Sequence, residues 1–274
     1  MSTALAVVHG RFGRASLYRL SKPLAPHAHR EGHLIFLIDG RPATVGVEGK
    51  DYTLDRDHAV AVSPWQPHEF RPGDLGKGAI FLTLYIAPTW FMEASSARGH
   101  AMMRFGAPLI RMDAPLFDLA RTVAERIGNG EAGPALNDAI HDLTAYAFEE
   151  TWSIGRRQPP MWPRMNDFRI RNAVRLMNER VTDACILDRI ARDAGLSRPH
   201  FYKLFRQNIG LTPNMYLNTL RLERSIVRLT RSDDPVTAIG LDLGFASQAS
   251  FTRFFSNNIG IAPTDYRRVS LVAG

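Results

Sequence analysis

The feature that most constrains the fold is a segment that occurs twice in the C-terminal half of this 274-residue chain. The sequence Phe201–Phe205 recurs, with changes, as Phe251–Phe255, and the Asn-Ile-Gly triplets that end at Gly210 and Gly260 keep the same spacing of 50 residues. Two copies of one sequence fold into two copies of one supersecondary unit. The C-terminal part is therefore expected to be a tandem repeat.

Each copy has the pattern of a helix-turn-helix. A short apolar helix, predicted over Leu187–Ala194 in the first copy and Val236–Leu243 in the second, precedes a glycine-containing turn and a second helix that ends near another glycine. Ser197 and Ser247 occupy the N-cap positions of the two second helices. These signals predict an all-α C-terminal domain with two helix-turn-helix units.

The second helix of each copy has two distinct faces when residues are placed about 100° apart. Phenylalanines fall on one face, whereas Tyr202, Lys203 and Arg206 in the first helix, and Thr252 and Arg253 in the second, point away from it. Side chains of these types read base edges and phosphates in the major groove. A helical bundle with solvated charges is the alternative interpretation.

Charge separates the two halves of the chain. Residues 1–150 hold 15 Lys and Arg against 17 Asp and Glu, whereas residues 151–274 hold 19 against 10. A basic region attached to a near-neutral one suggests that the basic region meets a polyanion. Basic regions also contact membranes and acidic proteins, so charge alone does not identify the partner.

Composition excludes several other classes. No apolar run approaches the roughly 18 residues that a membrane-spanning helix needs. The first residues lack the pattern of a secretory signal, which favours a cytoplasmic protein. The single cysteine, Cys185, excludes an internal disulfide scaffold and a thiolate zinc cluster.

The repeated region resembles the DNA-binding domain of the AraC/XylS family of bacterial transcription regulators. The resemblance covers roughly Phe168 to Arg268 and is most specific from Gly244 to Arg267. It implies that Pro213–Thr230 is a helix connecting the two units, and that two recognition helices enter successive major grooves about 34 Å apart.

The resemblance also implies which side chains contact DNA. The base contacts that it selects by position are Arg198, Tyr202, Lys203, Gln248, Ala249, Thr252 and Arg253. Further arginines are expected to contact phosphates or to be solvated, and these are Arg169, Arg206, Arg221, Arg224 and Arg231.

The N-terminal part has the pattern of β-structure followed by helices. Short apolar or alternating runs separated by turn-forming residues predict strands at Leu34–Ile38, Thr44–Val47, Ala59–Val62 and Ala79–Ile86, typical of a small barrel or sandwich. Helical spacing predicts two helices, at Leu116–Arg126 and Leu136–Phe148. The fold class is therefore a two-domain α+β protein, with domains at residues 1–152 and 167–274 and a proline-rich linker at 153–166.

Four histidines cluster in the β-part: His27, His29 and His33, then His68. On a regular strand the first three share a side. Imidazole clusters of this kind bind zinc, iron, nickel or copper. No cofactor is fixed by the pattern, but a transition metal ion on these four histidines is one interpretation.

The same residues resemble the two signature stretches of the cupin β-barrel, which AraC/XylS regulators often carry at the N-terminus. His33 stands where metal-binding cupins have glutamate, and Trp65 or Gln66 replaces a glycine of the second stretch. The four histidines and Trp65 could therefore line an effector pocket without metal. They could also be ordinary strand-edge or core residues.

These observations favour a sequence-specific DNA-binding transcriptional regulator, not an enzyme, controlled by a small-molecule effector in the barrel. The implied partners are double-stranded promoter or operator DNA, the effector, a second copy paired through the two N-terminal helices, and RNA polymerase, with no membrane. Two alternatives remain. One is a cupin metalloprotein, either a metal sensor or a metal-dependent enzyme, fused to a DNA-binding domain. The other is a constitutive DNA binder.

Overall fold

The computed structural model describes residues 2–73, 78–94, 103–153, 167–183 and 186–272. The chain forms two compact units, one made of Met1–Pro159 with Ser256–Gly274 and the other of Pro160–Phe255. Cys185 and all but the first residue of the predicted linker lie outside the described residues. The predicted domain boundaries stay a prediction.

The first unit is built on two β-sheets. Its strands are β1 (Thr3–Gly10), β2 (Gly13–Leu20), β3 (Leu24–His27), β4 (Gly32–Asp39), β5 (Ala43–Val47), β6 (Lys50–Leu54), β7 (His58–Val62), β8 (His68–Pro72), β9 (Ala79–Ile86), β10 (Leu109–Arg111) and β11 (Ser270–Val272). One sheet has the order β10-β7-β4-β9-β2-β1-β11, and the other has the order β3-β8-β5-β6. Every neighbouring pair is antiparallel except β1 and β11, which are parallel.

Both faces of the larger sheet are covered, which explains the continuous apolar run of β9. The helices of this unit are α1 (Pro88–Ala94), α2 (Ala114–Gly128), α3 (Pro134–Ser153) and α10 (Pro263–Val269). Leu82 and Leu84 pack in one core with Leu116 of α2 and Ile140 of α3. The alternate residues of β9 face the smaller sheet, where the rings of Phe81 and Phe70 lie 5.1 Å apart.

The second unit confirms the tandem repeat. Its helices are α4 (Phe168–Glu179), α5 (Ile186–Asp193), α6 (Arg198–Ile209), α7 (Pro213–Arg231), α8 (Val236–Asp242) and α9 (Gln248–Ile259). Helices α5 and α6 form the first helix-turn-helix, α8 and α9 form the second, and α7 is the predicted connecting helix. Gly210 ends α6 in the left-handed conformation with φ of +81°, as expected of a C-terminal glycine.

The division between the units falls inside α9, because its last four residues belong to the first unit. The segment that follows, α10 and β11, packs with the β-structure, and β11 pairs with β1. This last strand was not predicted, since Ser270–Val272 is too short to show a strand pattern. No helix in the described ranges is long and apolar enough to cross a bilayer.

Candidate functional sites

Helix α6 presents the predicted DNA-binding side chains of the first repeat. Ser197 is the extended residue before the helix and a proline lies in the first turn, which explains why the helix begins at Arg198. Phe201 and Phe205 are fully buried, so the opposite side of the helix faces outward. Lys203 and Arg206 are exposed on that side.

Arg198 and Tyr202 are joined by contacts within the repeat. The guanidinium of Arg198 lies 3.2 Å from Asp188 and donates to the Tyr202 hydroxyl at 3.4 Å. That hydroxyl donates to Oδ1 of Asn214 in α7 at 3.1 Å. Exposed ion pairs contribute little in water, so Arg198 can exchange Asp188 for DNA at small cost.

Helix α9 presents the corresponding face of the second repeat. Ser247 caps the helix, since its hydroxyl accepts the backbone N–H of Ser250 at 3.2 Å. Gln248 accepts a hydrogen bond from the Thr237 hydroxyl at 2.6 Å. Ala249 and Arg253 are exposed and Thr252 is half-buried. Of the predicted contacts in both repeats, Lys203, Arg206 and Arg253 have no ion-pair partner among the residues that the structure describes.

Three other arginines make contacts with neighbouring parts of the protein. Arg169 pairs with Asp167 at 2.7 Å, and Arg224 donates to a backbone carbonyl of α4 at 2.5 Å. Arg221 donates to the carbonyl oxygens of Val181 and Asp183 and therefore holds the segment before α5 against α7. Their expected role as phosphate contacts or solvated charges stays a prediction, and Arg221 is the least available of the three.

The four clustered histidines meet between the two sheets of the first unit, and each is at least 94% buried. One ring nitrogen each from His27, His29 and His68 lies within 4.8 Å of the other two. His33 stands beside this trio, with ring centres 4.9 Å from His29 and 5.4 Å from His68. The structure thus brings all four predicted residues together, and in three of them the ring nitrogens are close enough to share one ion; metal binding stays a prediction.

Backbone hydrogen bonds fix the tautomers of the trio. Nδ1 of His27, His29 and His68 lies 2.8–3.0 Å from the carbonyl oxygen of Ala25, Glu31 and Gln66, respectively. A carbonyl oxygen only accepts, so each Nδ1 is the donor and each Nε2 carries a lone pair. Partners of this kind orient metal-binding histidines in proteins. Nε2 of His29 and His68 is buried without a hydrogen-bond partner among the described residues.

Burial keeps these imidazoles neutral. It lowers the pKa of His27 and holds the pKa of His29, His33 and His68 well below the usual value. The charges of neighbouring histidines lower the pKa of His29, His33 and His68 further. Neutral imidazole is the form that binds a metal, and the orphaned Nε2 atoms fit such an ion.

The free space beside the cluster is small. It measures about 20 Å³ and is lined by side chains that include His27, His33 and His68. Roughly 10–15 Å³ of such space holds one water molecule, whereas pockets for organic ligands span roughly 300–1,000 Å³. The cavity therefore suits a single ion or water.

Trp65 does not line this cavity. Its backbone N–H donates to the carbonyl of His29 at 2.7 Å, and its φ of +64° is a left-handed conformation that favours glycine. A glycine would adopt this conformation without strain. The contribution of Trp65 is to shape the turn before His68, while its role as an effector contact stays a prediction.

The sequence did not point to Arg14, which is 94% buried on β2. Its guanidinium lies 3.6 Å from the ring centre of Tyr85 and donates to the Tyr266 hydroxyl at 3.2 Å. The Tyr85 ring is in turn 4.2 Å from His33 and 4.9 Å from His29. An arginine on a strand is normally expected to be exposed, so no sequence signal marked it.

Comparison with known proteins identifies the family. A family model described as a helix-turn-helix domain matches residues 190–269. The transcriptional activator RhaS of Escherichia fergusonii is 32% identical over 260 residues, which cover 91% of this chain and 90% of RhaS. This chain belongs to the AraC/XylS family of transcriptional regulators. The tandem repeat is accordingly a sequence-specific DNA-binding region of an HTH-type regulator.

Solved structures support the same fold for this AraC/XylS regulator. A single-residue variant of ToxT from Vibrio cholerae, in its apo form, has a TM-score of 0.59 at 13% identity, covering 93% of this chain and 96% of ToxT. A second ToxT structure, with an unsaturated fatty acid bound, has a TM-score of 0.57 at 15% identity and covers 93% and 94% of the two chains. The two-domain architecture is therefore confirmed.

Proposed function

We propose that this regulator is controlled by a divalent transition metal ion held by His27, His29 and His68. The observation that carries the proposal is the set of three buried imidazoles whose Nδ1 atoms are all used by backbone carbonyls. Nε2 is then the nitrogen left on each ring to bind the ion. Three protein ligands with a further open position are a common arrangement for zinc and its neighbours.

The size of the cavity favours an ion over an organic effector at this position. ToxT has been solved with an unsaturated fatty acid, but about 20 Å³ of free space does not admit such a molecule here. To control DNA binding, an effector has only to bind two conformations of the protein with binding free energies that differ by about 1–3 kcal/mol. An ion with three protein ligands supplies enough binding energy for that.

The proposal is tested by titrating Zn²⁺ and Co²⁺ into chelator-treated protein, with calorimetry for stoichiometry and visible absorption of Co²⁺ for geometry. We expect one equivalent and a tetrahedral-type Co²⁺ spectrum in the wild type, both lost in His29→Ala. His58→Ala is the matched control, because His58 is a partly exposed histidine on β7 of the same unit. Absence of stoichiometric binding, or equal loss in both variants, would contradict the site.

Control of DNA binding is tested separately. An operator can be obtained by selecting bound sequences from random double-stranded DNA, and its affinity measured with and without one equivalent of Zn²⁺. We expect a change of about 5- to 150-fold in the dissociation constant, the range of typical allosteric coupling. If zinc-loaded protein binds the operator with unchanged affinity, the metal site is structural and the proposal of a metal sensor is wrong.

We also propose that the regulator acts as a cytoplasmic homodimer that works with RNA polymerase and has no catalytic role. The pairing surface is the groove between α2 and α3, where Ala145 and Trp152 lie beside Glu149. The residues that the structure describes leave part of this groove open. Sedimentation of Ala145→Arg against the wild type tests it: a monomeric variant supports pairing through α3, and an unchanged dimer contradicts it.

A further inference from the structure

We infer that Arg14 is a positioning residue that transmits the state of the histidine cluster to the end of the second recognition helix. The inference rests on the proposed metal site and names its route of regulation. Metal loading of the cluster is expected to loosen the hold of Arg14 on Tyr266, and thereby to release the segment formed by α10 and β11.

One cross-strand row of the larger sheet joins the cluster to the C-terminal segment. His33 on β4 is opposite Tyr85 on β9, and Tyr85 is opposite Arg14 on β2. Arg14 is opposite His9 on β1, and His9 is opposite Val272 on β11. Directly opposed residues point to the same face of a sheet, so the row is a continuous set of neighbours.

Tyr266 of α10 closes this row. Its hydroxyl accepts from the Arg14 guanidinium at 3.2 Å and lies 2.9 Å from Nε2 of His9. The phenol of Tyr266 is fully buried. By sequence, Tyr266 lies within residues 190–269, which match the helix-turn-helix model. A side chain of the DNA-binding region is therefore held by the β-structure through two polar contacts.

The end of α9 touches the same place. Ile259, the last residue of α9, lines the cavity together with His27, His33 and His68. A Cβ at Gly260 would lie 2.9 Å from the Leu20 side chain, so the backbone that follows α9 packs closely on β2. Gln248 and Arg253, the proposed base contacts, lie earlier in the same helix, and we expect a shift at its end to reach them.

The charge of Arg14 supplies the reason for coupling. Burial raises the pKa of Tyr85 to about 12 and also raises that of Tyr266, so both phenols are neutral. No carboxylate pairs with Arg14 among the described residues, and the guanidinium is held by the face of Tyr85 and by Tyr266. A doubly charged ion on the neighbouring imidazoles repels this cation, and repulsion is strong where water is excluded.

The positive charge of Arg14 likewise disfavours positive charge on the histidine cluster. Its charge contributes to the lowered pKa of His27, His29 and His33, after burial and, for His29 and His33, the neighbouring histidines. Linkage is reciprocal. Replacing Arg14 by a neutral residue should therefore strengthen metal binding. Removing the metal should in turn favour the hydrogen bond between Arg14 and Tyr266.

The test is hydrogen exchange of residues 263–272, followed by mass spectrometry in the full chain with and without one equivalent of Zn²⁺. In the wild type we expect at least threefold faster exchange of this segment on zinc loading. In Arg14→Met the rate should not respond to zinc, while zinc should bind about tenfold more tightly by calorimetry. Arg11→Met is the matched control, because Arg11 is exposed and pairs with Glu93 at the surface.

Each outcome decides between the two proposals. If zinc binds but the segment exchanges at the same rate, or if Arg14→Met responds like the wild type, the relay is wrong and the metal site stands. If no zinc binds, the proposed site is wrong and the relay falls with it. Should Arg14→Met fail to fold, Tyr266→Phe removes only the hydroxyl and is expected to abolish the same response.

Discussion

His27 and His68 occupy directly opposed positions on β3 and β8, and their ring centres lie 4.3 Å apart. This pairing brings together two stretches of sequence separated by forty residues. Both rings are buried, and each is held through Nδ1 by a carbonyl two residues earlier. Strand register and local hydrogen bonds therefore place and orient these two rings.

Acid is expected to destabilise the metal-free protein. The four histidines have lowered folded-state pKa values, so below about pH 6.5 the unfolded chain binds protons that the folded chain does not. Stability is therefore complete above that pH and falls as the pH drops. Each histidine that stays neutral in the folded protein lowers the free energy of unfolding at pH 5.5 by about 1.4 kcal/mol relative to neutral pH.

Urea unfolding between pH 7.5 and 5.5, followed by tryptophan fluorescence, measures this loss. Trp90 and Trp152 pack against the core of the first unit and report on the unit that holds the cluster. His200→Ala, a substitution at an exposed histidine outside the cluster, is the control. A wild type whose stability is flat over this range would contradict the neutral state of the cluster.

Metal is expected to stabilise the first unit by mass action. At a free concentration one hundred times the dissociation constant, an ion that binds only the folded state adds about 2.7 kcal/mol. A thermal melt at pH 7.5 should therefore shift upward with Zn²⁺, and the shift should shrink as the pH is lowered, because protons compete for Nε2. His68→Ala should show no shift, in contrast to His58→Ala; equal shifts would place the ion elsewhere.

The DNA-binding unit was easier to predict from the sequence than the β-unit for a physical reason. A helix shows its buried face through local spacing, and the repeat displayed that face twice, in Phe201 and Phe205 and again in Phe251 and Phe255. The strand at Ala79–Ile86 was also predicted within its true limits, because both of its faces are covered and its run is continuously apolar.

Strands that bury polar side chains were missed. In β2, Arg14 and Ser16 are buried together with the intervening Ala15, so the residues show no alternation of exposed polar and buried apolar positions. The partners that make this burial tolerable, Tyr85 and Tyr266, lie on distant parts of the chain. Spacing of the histidines indicated a cluster, but only strand pairing determined which three meet.

The turn glycines of the two repeats should respond differently to the same substitution. Gly195 and Gly244 both have left-handed φ values, +63° and +83°, so alanine costs about 1–2 kcal/mol at either. A Cβ at Gly244 would also lie 2.3 Å from the carbonyl oxygen of Thr182, whereas Gly195 has no atom within 4 Å of its added Cβ among the described residues. Displacing that backbone adds about 1–3 kcal/mol.

Urea unfolding of the full chain, followed by far-UV circular dichroism, compares the two variants directly. Gly244→Ala should be the less stable by at least about 1 kcal/mol, since only it combines strain with a backbone clash. Each variant serves as the control for the other. Equal stability would mean that the segment before α5 moves away at no cost, despite its hydrogen bonds from Arg221.

Arg253 is expected to set sequence preference, whereas Arg206 should contribute mainly to overall affinity. Both are exposed, and neither has an ion-pair partner among the described residues, so each is available to DNA. Arg253→Ala should lose about 1–3 kcal/mol on the selected operator and relax the preference at one base position. Arg206→Ala should weaken binding to all sequences alike and reduce the slope of affinity against salt by about one ion.

Fluorescence anisotropy on the selected operator, on single-base variants of it and on unrelated duplexes separates the two roles, with a salt titration for each protein. Arg11→Ala, on a surface loop of the first unit, serves as the matched arginine control. If Arg253→Ala keeps every base preference of the wild type, Arg253 is not a base contact. A relaxed preference in Arg206→Ala would instead place that side chain in the groove, because a phosphate contact carries no base information.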